Sequence, residues 1–564
     1  MREITWRINF IFVFFLIFAL LLISKLFFLQ IVHHKLYSVL AAGQQKWFLE
    51  TEGERGLIYA VDRDNNLYPL SQNISQDFAF FQVLRLKNNP LVLEKISKVL
   101  KISKEELMRK FEENDEVVVL PISQNIRQEL QKLKIEGVYF DQKFIRFYPQ
   151  KDFGARFLGF LGGEGKGQYG LEGYYDNILK GKVSLVSGER NPLGYSFLIQ
   201  NQLKKGSDLV LTIDYNLQNF AENLLKKHQK DLEFESGQII IVDPQNGKIL
   251  ALAEYPSFDL NNYFKVADIA IFQNSLIQKI FEPGSILKPI TMAAALEENK
   301  ITPETTYVDE GFVKFGGSVI YNYGNRVWGE QTMRGVLEKS INTGAVFVQR
   351  LLGNKLFLDY LKKFGFFEKT GVDLQGEVFS ENKNLSLGRD INLATASFGQ
   401  GIEVTPLQVV RAFSAIANRG KLVKPYLVEK IIQENGKVSE LEPSPPKQII
   451  SEKTAATLTE MLVSVVEEGF AKRTKIPGYY IAGKTGTAQV PFSALGIPKR
   501  GYSEKTIQSF VGYFPAFEAK FLIMVKLDNP KTKSAEYSAV PVFKEMAQYI
   551  ISYEILPPDY KVDD

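Results

Sequence analysis

Three short stretches of the chain bring hydroxyl, amine and amide groups into spacings that suit acyl transfer. In the first, Phe281-Glu282-Pro283-Gly284-Ser285-Ile286-Leu287-Lys288, a Pro-Gly turn precedes an alanine-rich apolar run. That pattern predicts Ser285 at a helix N-terminus. Lys288 follows one turn later and nearly on the same face, so its amine is expected beside the serine hydroxyl. A serine hydroxyl is a poor nucleophile until a base takes its proton, and a lysine serves where its site keeps it neutral. The partial positive charge of a helix N-terminus favours the developing alkoxide and disfavours a second cation. Taken alone, the same spacing also describes an N-cap serine with a solvated lysine.

The second stretch, Ser340-Ile341-Asn342-Thr343-Gly344, follows a helical run. In an extended loop, side chains two apart face one cleft. There the Ser340 hydroxyl can relay a proton and the Asn342 amide can grip a substrate carbonyl. The third, Gly483-Lys484-Thr485-Gly486-Thr487-Ala488, reads as a β-strand whose glycines leave room for another chain or a substrate to approach its edge. Lys484 and the hydroxyls of Thr485 and Thr487 offer charge and donors to a carboxylate. The backbone N–H of Thr487 can join that of Ser285 in an oxyanion hole.

These groups need elements to hold them. GQIIIVDPQNGKILALAEY reads as a hairpin turning at Pro244-Gln245-Asn246-Gly247. TIQSFVGYFPAFEAKFLIMVKLD gives two further strands, and VPVFKEMAQYIISYEIL a closing helix. Strands at both ends with helices between them predict an α+β sandwich whose sheet is closed by the two sequence ends. Upstream, residues 36–205 mix strand-like pieces (FAFFQVLRL, EVVVL) with helical ones (KEELMRKFEEN, QNIRQELQKLK) and show no reactive constellation, which predicts a structural pedestal. The segment ENGKVSELEPSPPKQ reads as a mobile loop or spacer.

Composition removes other chemistries. The chain has no cysteine, so disulfides, thiolate zinc sites and cysteine nucleophiles are out. Its three histidines are His33 and His34, beside an N-terminal apolar segment, and His228 in a Lys-rich helix face, which leaves a poor basis for a Ser-His-Asp triad. A net charge of +4 over 564 residues gives no basic face for nucleic acid. The apolar run from Phe10 to Ile23, extended by Leu26 to Val32, is long enough to cross a bilayer. Arg2 and Arg7 precede it, which places the short N-terminus in the cytoplasm and everything after about residue 35 outside the cytoplasmic membrane. The nearest small-residue cleavage site, Ala41-Ala42-Gly43, lies well beyond the apolar core, which favours an uncleaved anchor over a signal peptide.

Ser-x-x-Lys, Ser-x-Asn and Lys-Thr-Gly in this order form the signature shared by serine β-lactamases and penicillin-binding proteins. The resemblance reaches further, through GSDLVLTID, VDPQNGKILALA, SFGQGIEVTPLQ, ANRGKLVKPYLVEKI, AGKTGTAQ and SFVGYFPA, and upstream through RGLIYAVDRD, IRFYP and QYGLEGYYDNIL. With the anchor, the chain resembles a class B, monofunctional penicillin-binding protein, most like the cell-division (septal) branch. That resemblance implies a tail and anchor (1–35), a pedestal of the dimerisation type (36–205), a transpeptidase domain of the penicillin-binding/β-lactamase fold (206–555) and a short tail (556–564). It also implies a D,D-transpeptidase that cross-links peptidoglycan stem peptides through a Ser285 acyl-enzyme and is inhibited by β-lactams. Lys288, Ser340 and Asn342 would be its catalytic partners, and Lys484, Thr485, Gly486 and Thr487 its substrate site. It would need no metal or organic cofactor, and a polymerising glycosyltransferase and other division proteins would be its partners. An elongation-type enzyme, a fast-hydrolysing β-lactamase and a non-catalytic scaffold or β-lactam sensor are the alternatives. The sequence departs from the family pattern at Ile286 and Ile341, in the altered pedestal element at Ala60-Val61, and in the missing glycines of SAEYSAVPVF.

Overall fold

The computed structural model describes residues 2–28, 31, 46–114, 116–163, 165–181, 183–191, 194–198 and 205–562. His33, His34, the boundary at 35/36 and the small-residue site at 41–43 lie outside the described residues. The chain forms two compact units, one of Met1–Arg55 with Lys180–Gly206, the other of Gly56–Leu179 with Ser207–Asp564.

In the first unit, helix α1 (Arg2–Phe27) carries the apolar stretch Phe10–Phe27, with a mean hydropathy of 2.8 and none of it buried. Eighteen residues at about 1.5 Å each span roughly 27 Å, the scale of a bilayer's hydrocarbon core. This is the one helix among the described residues long and apolar enough to cross a membrane. The unit also holds an antiparallel sheet of Lys46–Glu52, Val183–Asn191 and Gly194–Leu198.

The second unit begins with a seven-stranded sheet built around the long strand Leu67–Gln82. Its outer half pairs with Val117–Ile122 and Val138–Phe147. Together with helices Pro90–Leu100, Lys104–Glu112 and Gln124–Lys132 it encloses a separate apolar cluster around Phe81, Ile96, Leu107 and Phe111. Asn89, Ser103 and Ser123 cap those helices by accepting from backbone N–H groups. The inner half leads, through Ile58–Val61, to strand β1 (Asp208–Asp214), which pairs with it in parallel. The shift of texture near Gly206 is therefore not a break in hydrogen bonding: β1 joins the pedestal's sheet. Beyond it lie Val428–Ile432 and Val438–Glu440. That last strand falls inside the segment expected to be a loop, where Gly436 (φ +79°) turns the chain back into register.

After β1 come α2 (Tyr215–Leu232), capped by Asp214, and the hairpin β2 (Ser236–Val242) and β3 (Ile249–Tyr255). Helices α3 (Lys288–Glu297), α4 (Met333–Glu338), α5 (Asn342–Leu352) and α6 (Glu452–Glu467) follow. Strands β4 (Ala482–Pro491), β5 (Tyr502–Phe514) and β6 (Phe521–Asp528) and helix α7 (Ala539–Tyr553) complete the unit. The sheet order is β3-β2-β6-β5-β4, antiparallel throughout, so the two sequence ends do close it. Side chains alternate across a strand. Phe510 and Phe514 of β5 meet Phe543 of α7, while Tyr513 donates to or accepts from Thr459 of α6 at 2.8 Å. The sheet is thus covered on both faces, which is why β2 and β6 read as continuous apolar runs and are buried along almost their whole length.

Candidate active site

Ser285 lies on a 3-10 turn, Gly284–Leu287, that runs directly into α3. It is half-buried at the edge of a cavity of about 570 Å³. Two glycines fix this turn. The Gly284 N–H donates to Gly399 O at 2.9 Å, and a Cβ on Gly399 (φ +83°) would lie 2.0 Å from Gly284 O. A Cβ on Gly486 of β4 would meet Ser509 Oγ at 2.6 Å and Ile286 Cγ2 at 2.9 Å. The space beside β4 at Gly486 is therefore taken by the serine's own turn, the close approach of another stretch of chain that the glycine pattern allowed for. Ile286 is fully buried in that contact, so an apolar residue suits the position.

Lys288 is fully buried on the first turn of α3. Its Nζ reaches Ser340 O at 2.5 Å, Asn342 Oδ1 at 2.8 Å and Ser340 Oγ at 3.2 Å. Among the described residues no hydrogen bond joins it to the Ser285 hydroxyl; its resting partners are all in the second motif. Burial, reinforced by the nearby Lys484, holds the amine well below the usual lysine range. A neutral amine has two N–H donors and one lone pair. Ser340 O and Asn342 Oδ1 accept the two N–H bonds, which leaves the lone pair for a hydroxyl proton.

Ser340 and Asn342 do not lie in an extended loop. Helix α4 ends at Lys339, and Ser340 takes the left-handed conformation (φ +54°). Ser340 N–H bonds Leu337 O at 3.3 Å and Ile341 N–H bonds Val336 O at 2.9 Å. These two bonds close a Schellman turn, whose usual apolar contact pairs Ile341 with Val336, both buried. The left-handed position normally takes glycine, so a serine there carries strain on the order of 1 kcal/mol. Its carbonyl and hydroxyl both reach the Lys288 amine. Asn342 opens α5.

Two residues that the motifs did not flag hold this turn. The Asn322 side chain accepts from the N–H groups of Asn342 (3.0 Å) and Thr343 (3.1 Å), capping α5 from another part of the chain. Its amide donates to both oxygens of the buried Asp309, at 3.0 and 2.9 Å. Asp309 also accepts from Thr343 Oγ1 at 2.6 Å, Gly311 N–H at 3.0 Å and Trp328 N–H at 2.8 Å. The sequence signals available were the turn-forming patterns Asp-Glu-Gly at 309–311 and Asn-Tyr-Gly-Asn at 322–325.

The third motif arrives on β4, which among the described residues pairs on one side only, with β5. Lys484 is buried, and burial pulls its amine down to about 7. It reaches Ser340 Oγ at 3.0 Å and Thr485 O at 3.2 Å. One hydroxyl therefore stands between two buried amines. Thr485 and Thr487 line the cavity with Ser285, Ser340 and Asn342. Thr487 Oγ1 accepts from Ala535 N–H at 3.2 Å, where the chain covers the strand with a 3-10 turn at Ala535–Tyr537 in place of a glycine loop. His228 is elsewhere, on α2, with Nε2 3.0 Å from Glu545 of α7.

Residues 237–548 match the penicillin binding protein transpeptidase domain, and residues 50–211 the penicillin-binding protein dimerisation domain. The chain is 32% identical to Stage V sporulation protein D of Bacillus subtilis, over 93% of this chain and 82% of that one. It is 28% identical to a peptidoglycan D,D-transpeptidase FtsI homolog of Mesostigma viride, over 95% and 94%. Its fold matches a crystal structure of penicillin binding protein 3 from Mycobacterium tuberculosis complexed with aztreonam, with a TM-score of 0.69, 24% identity, and coverage of 91% of this chain and 98% of that one.

Proposed function

Since the chain belongs to the penicillin-binding protein transpeptidase family and is a class B, serine-type D,D-transpeptidase, we propose that Ser285 is its nucleophile, Lys288 its general base and the septal cell wall its place of work. The observation that carries the residue assignment is the buried, down-shifted Lys288, held by Ser340 and Asn342 one turn from Ser285. The stem peptide enters the cavity with its terminal carboxylate toward Lys484, Thr485 and Thr487. Ser285 Oγ attacks the penultimate carbonyl carbon and its proton passes to Lys288. The N–H groups of Ser285 and Thr487 receive the oxyanion. As the C–N bond breaks, Ser340, which bridges both lysines, passes its proton to the departing D-alanine and takes one back from Lys288, which returns to the neutral amine. The amine of a neighbouring stem then attacks the ester, giving a proton to the neutral Lys288; the C–O bond to Ser285 breaks, the amide cross-link forms, and Lys288 returns the proton to Ser285 Oγ.

A β-lactam follows the first half of this path and stays as a stable ester. Helix α1 anchors the protein in the bacterial cell membrane by a single pass, with the second unit on the outer side; the length and mean hydropathy of Phe10–Phe27 support this. Labelling the full chain in detergent with a fluorescent penicillin tests the assignment. Wild type should retain a stable adduct and Ser285→Ala none. Equal labelling of both removes Ser285 from the mechanism. A labelled wild type that releases no D-alanine from a stem peptide would instead make the protein a β-lactam sensor.

A further inference from the structure

The loop from Asn322 to Trp328 carries a charge that the chemistry above does not use. The Arg326 guanidinium lies 5.9 Å from the ring centroid of Trp328 and 5.7 Å from that of Phe470. Lys339 Nζ stands 5.3 Å from the Trp328 ring. All four residues line the cavity that opens from Ser285. Among the described residues neither cation meets a carboxylate: Lys339 donates to the neutral Gln331 Oε1 at 2.7 Å, and Arg326 has no ion pair. The one carboxylate on the cavity wall, Glu536, is already 3.4 Å from Arg473.

The Arg326 side chain is exposed beside the two rings, and its guanidinium N–H fork suits a planar anion. The loop is also fixed before any ligand arrives. Asn322 Nδ2 donates to Arg326 O at 3.1 Å, and Trp328 N–H is bound to the buried Asp309. Lys484 supplies positive charge to one end of the substrate, and the same cavity is lined by Arg326, Lys339 and Lys533, of which Arg326 is the cation placed beside the two rings. Neutral or amidated peptides leave that cation without a partner.

We propose that Arg326, backed by Lys339, binds a second carboxylate of the donor peptide, one carried upstream of its D-Ala-D-Ala end. The enzyme thereby selects donors with a free carboxylate there over donors in which it is amidated. This rests on the transpeptidase reading above and names the substrate class of that site.

The test uses two synthetic peptides ending in D-Ala-D-Ala, identical except that the preceding residue bears a side-chain carboxylate or a carboxamide. D-alanine release by the full chain in detergent, without acceptor amine, reads donor acylation alone. Wild type should favour the acid peptide by about tenfold in kcat/KM, a charge-assisted pair discounted for solvent exposure. That preference should shrink as salt is raised. Arg326→Gln should bring the ratio of the two peptides close to one, and Arg326→Lys should restore part of it. Equal rates for the two peptides in wild type, or an unchanged ratio in Arg326→Gln, overturns the proposal. So does a carboxylate preference confined to added acceptor peptides, which would place the site on the acceptor side. If Arg326→Gln does not fold, the wild-type ratio and its salt dependence still decide. Failure to release D-alanine from either peptide would count against the transpeptidase reading itself, a different result from release without discrimination.

Discussion

Replacing Ser340 by glycine should make the protein more stable than replacing it by alanine, although both abolish the same hydroxyl. At φ +54° a residue with a Cβ is disfavoured by about 1–2 kcal/mol, whereas glycine is not. Glycine gives back about 0.5–1 kcal/mol through the greater freedom of its unfolded chain. The net expectation is about 0.5–1 kcal/mol in favour of Ser340→Gly. At an ordinary helical position the order is reversed by a similar amount, so the sign alone is diagnostic. The bonds lost from Lys288 and Lys484 to Ser340 Oγ are the same in both variants and cancel from the comparison. In thermal unfolding of the detergent-solubilised chain, the glycine variant should melt roughly 1–3 °C above the alanine variant. Acylation by penicillin, followed by stopped flow, should fall by about 10²–10⁴ in both, because the hydroxyl between the two amines is gone. An alanine variant as stable as the glycine variant would refute the claim that this turn stores strain. Acylation near the wild-type rate in either would remove Ser340 from proton transfer.

Further outcomes follow from the same geometry. Gly486→Ala places a Cβ 2.6 Å from Ser509 Oγ and 2.9 Å from Ile286 Cγ2, so it should push the Ser285 turn off β4 and slow penicillin acylation by at least about tenfold; normal acylation would mean the turn adjusts freely. Asn322→Ala removes the outside cap of α5 and one partner of the buried Asp309, a loss of about 2–3 kcal/mol that should appear as a lower melting temperature together with slower acylation. Both active-site lysines are shifted downward, so acylation should rise with pH as Lys288 loses its proton, while binding of carboxylate ligands should weaken above about pH 7 as Lys484 does. For stability the sign is fixed: between about 7 and 10.5 the unfolded chain holds more protons at Lys484 than the folded one, so stability rises with pH across that window. The full penalty, on the order of 5 kcal/mol, applies below it. Lys484→Met should be more stable than wild type at pH 6, with the gap closing by pH 10; a constant gap would mean that the folded amine is not down-shifted.

What the sequence made legible was the chemistry, because reacting groups cannot be exchanged for others of similar size. Ser285, Lys288, Asn342 and Lys484 stood out by residue type and spacing, and the apolar strand runs and turn signals of β2, β3, β5 and β6 announced the sheet behind them. The shape of the second motif was not legible. A left-handed helix end is signalled by glycine, and here a serine stands there, so the sequence suggested an extended loop where two helices meet. The support was hidden for a different reason. Asn322 caps a helix that begins at Asn342, and Asp309 fixes Asn322, Thr343 and Trp328 together; each side chain is ordinary for a turn in its own neighbourhood. Their role exists only after distant segments have packed. The same holds for β1, whose run of apolar residues suits either sheet and whose pairing with Ile58–Val61 is decided by the fold. Arg326 belongs to this second group, since no local pattern distinguishes it from a solvated arginine. Its meaning depends on two rings contributed from residues 328 and 470 and on the absence of an acid among the described residues around it. The motif residues of this chain are thus local and readable, whereas the contacts that hold them, and those proposed to select substrate, exist only in the folded chain.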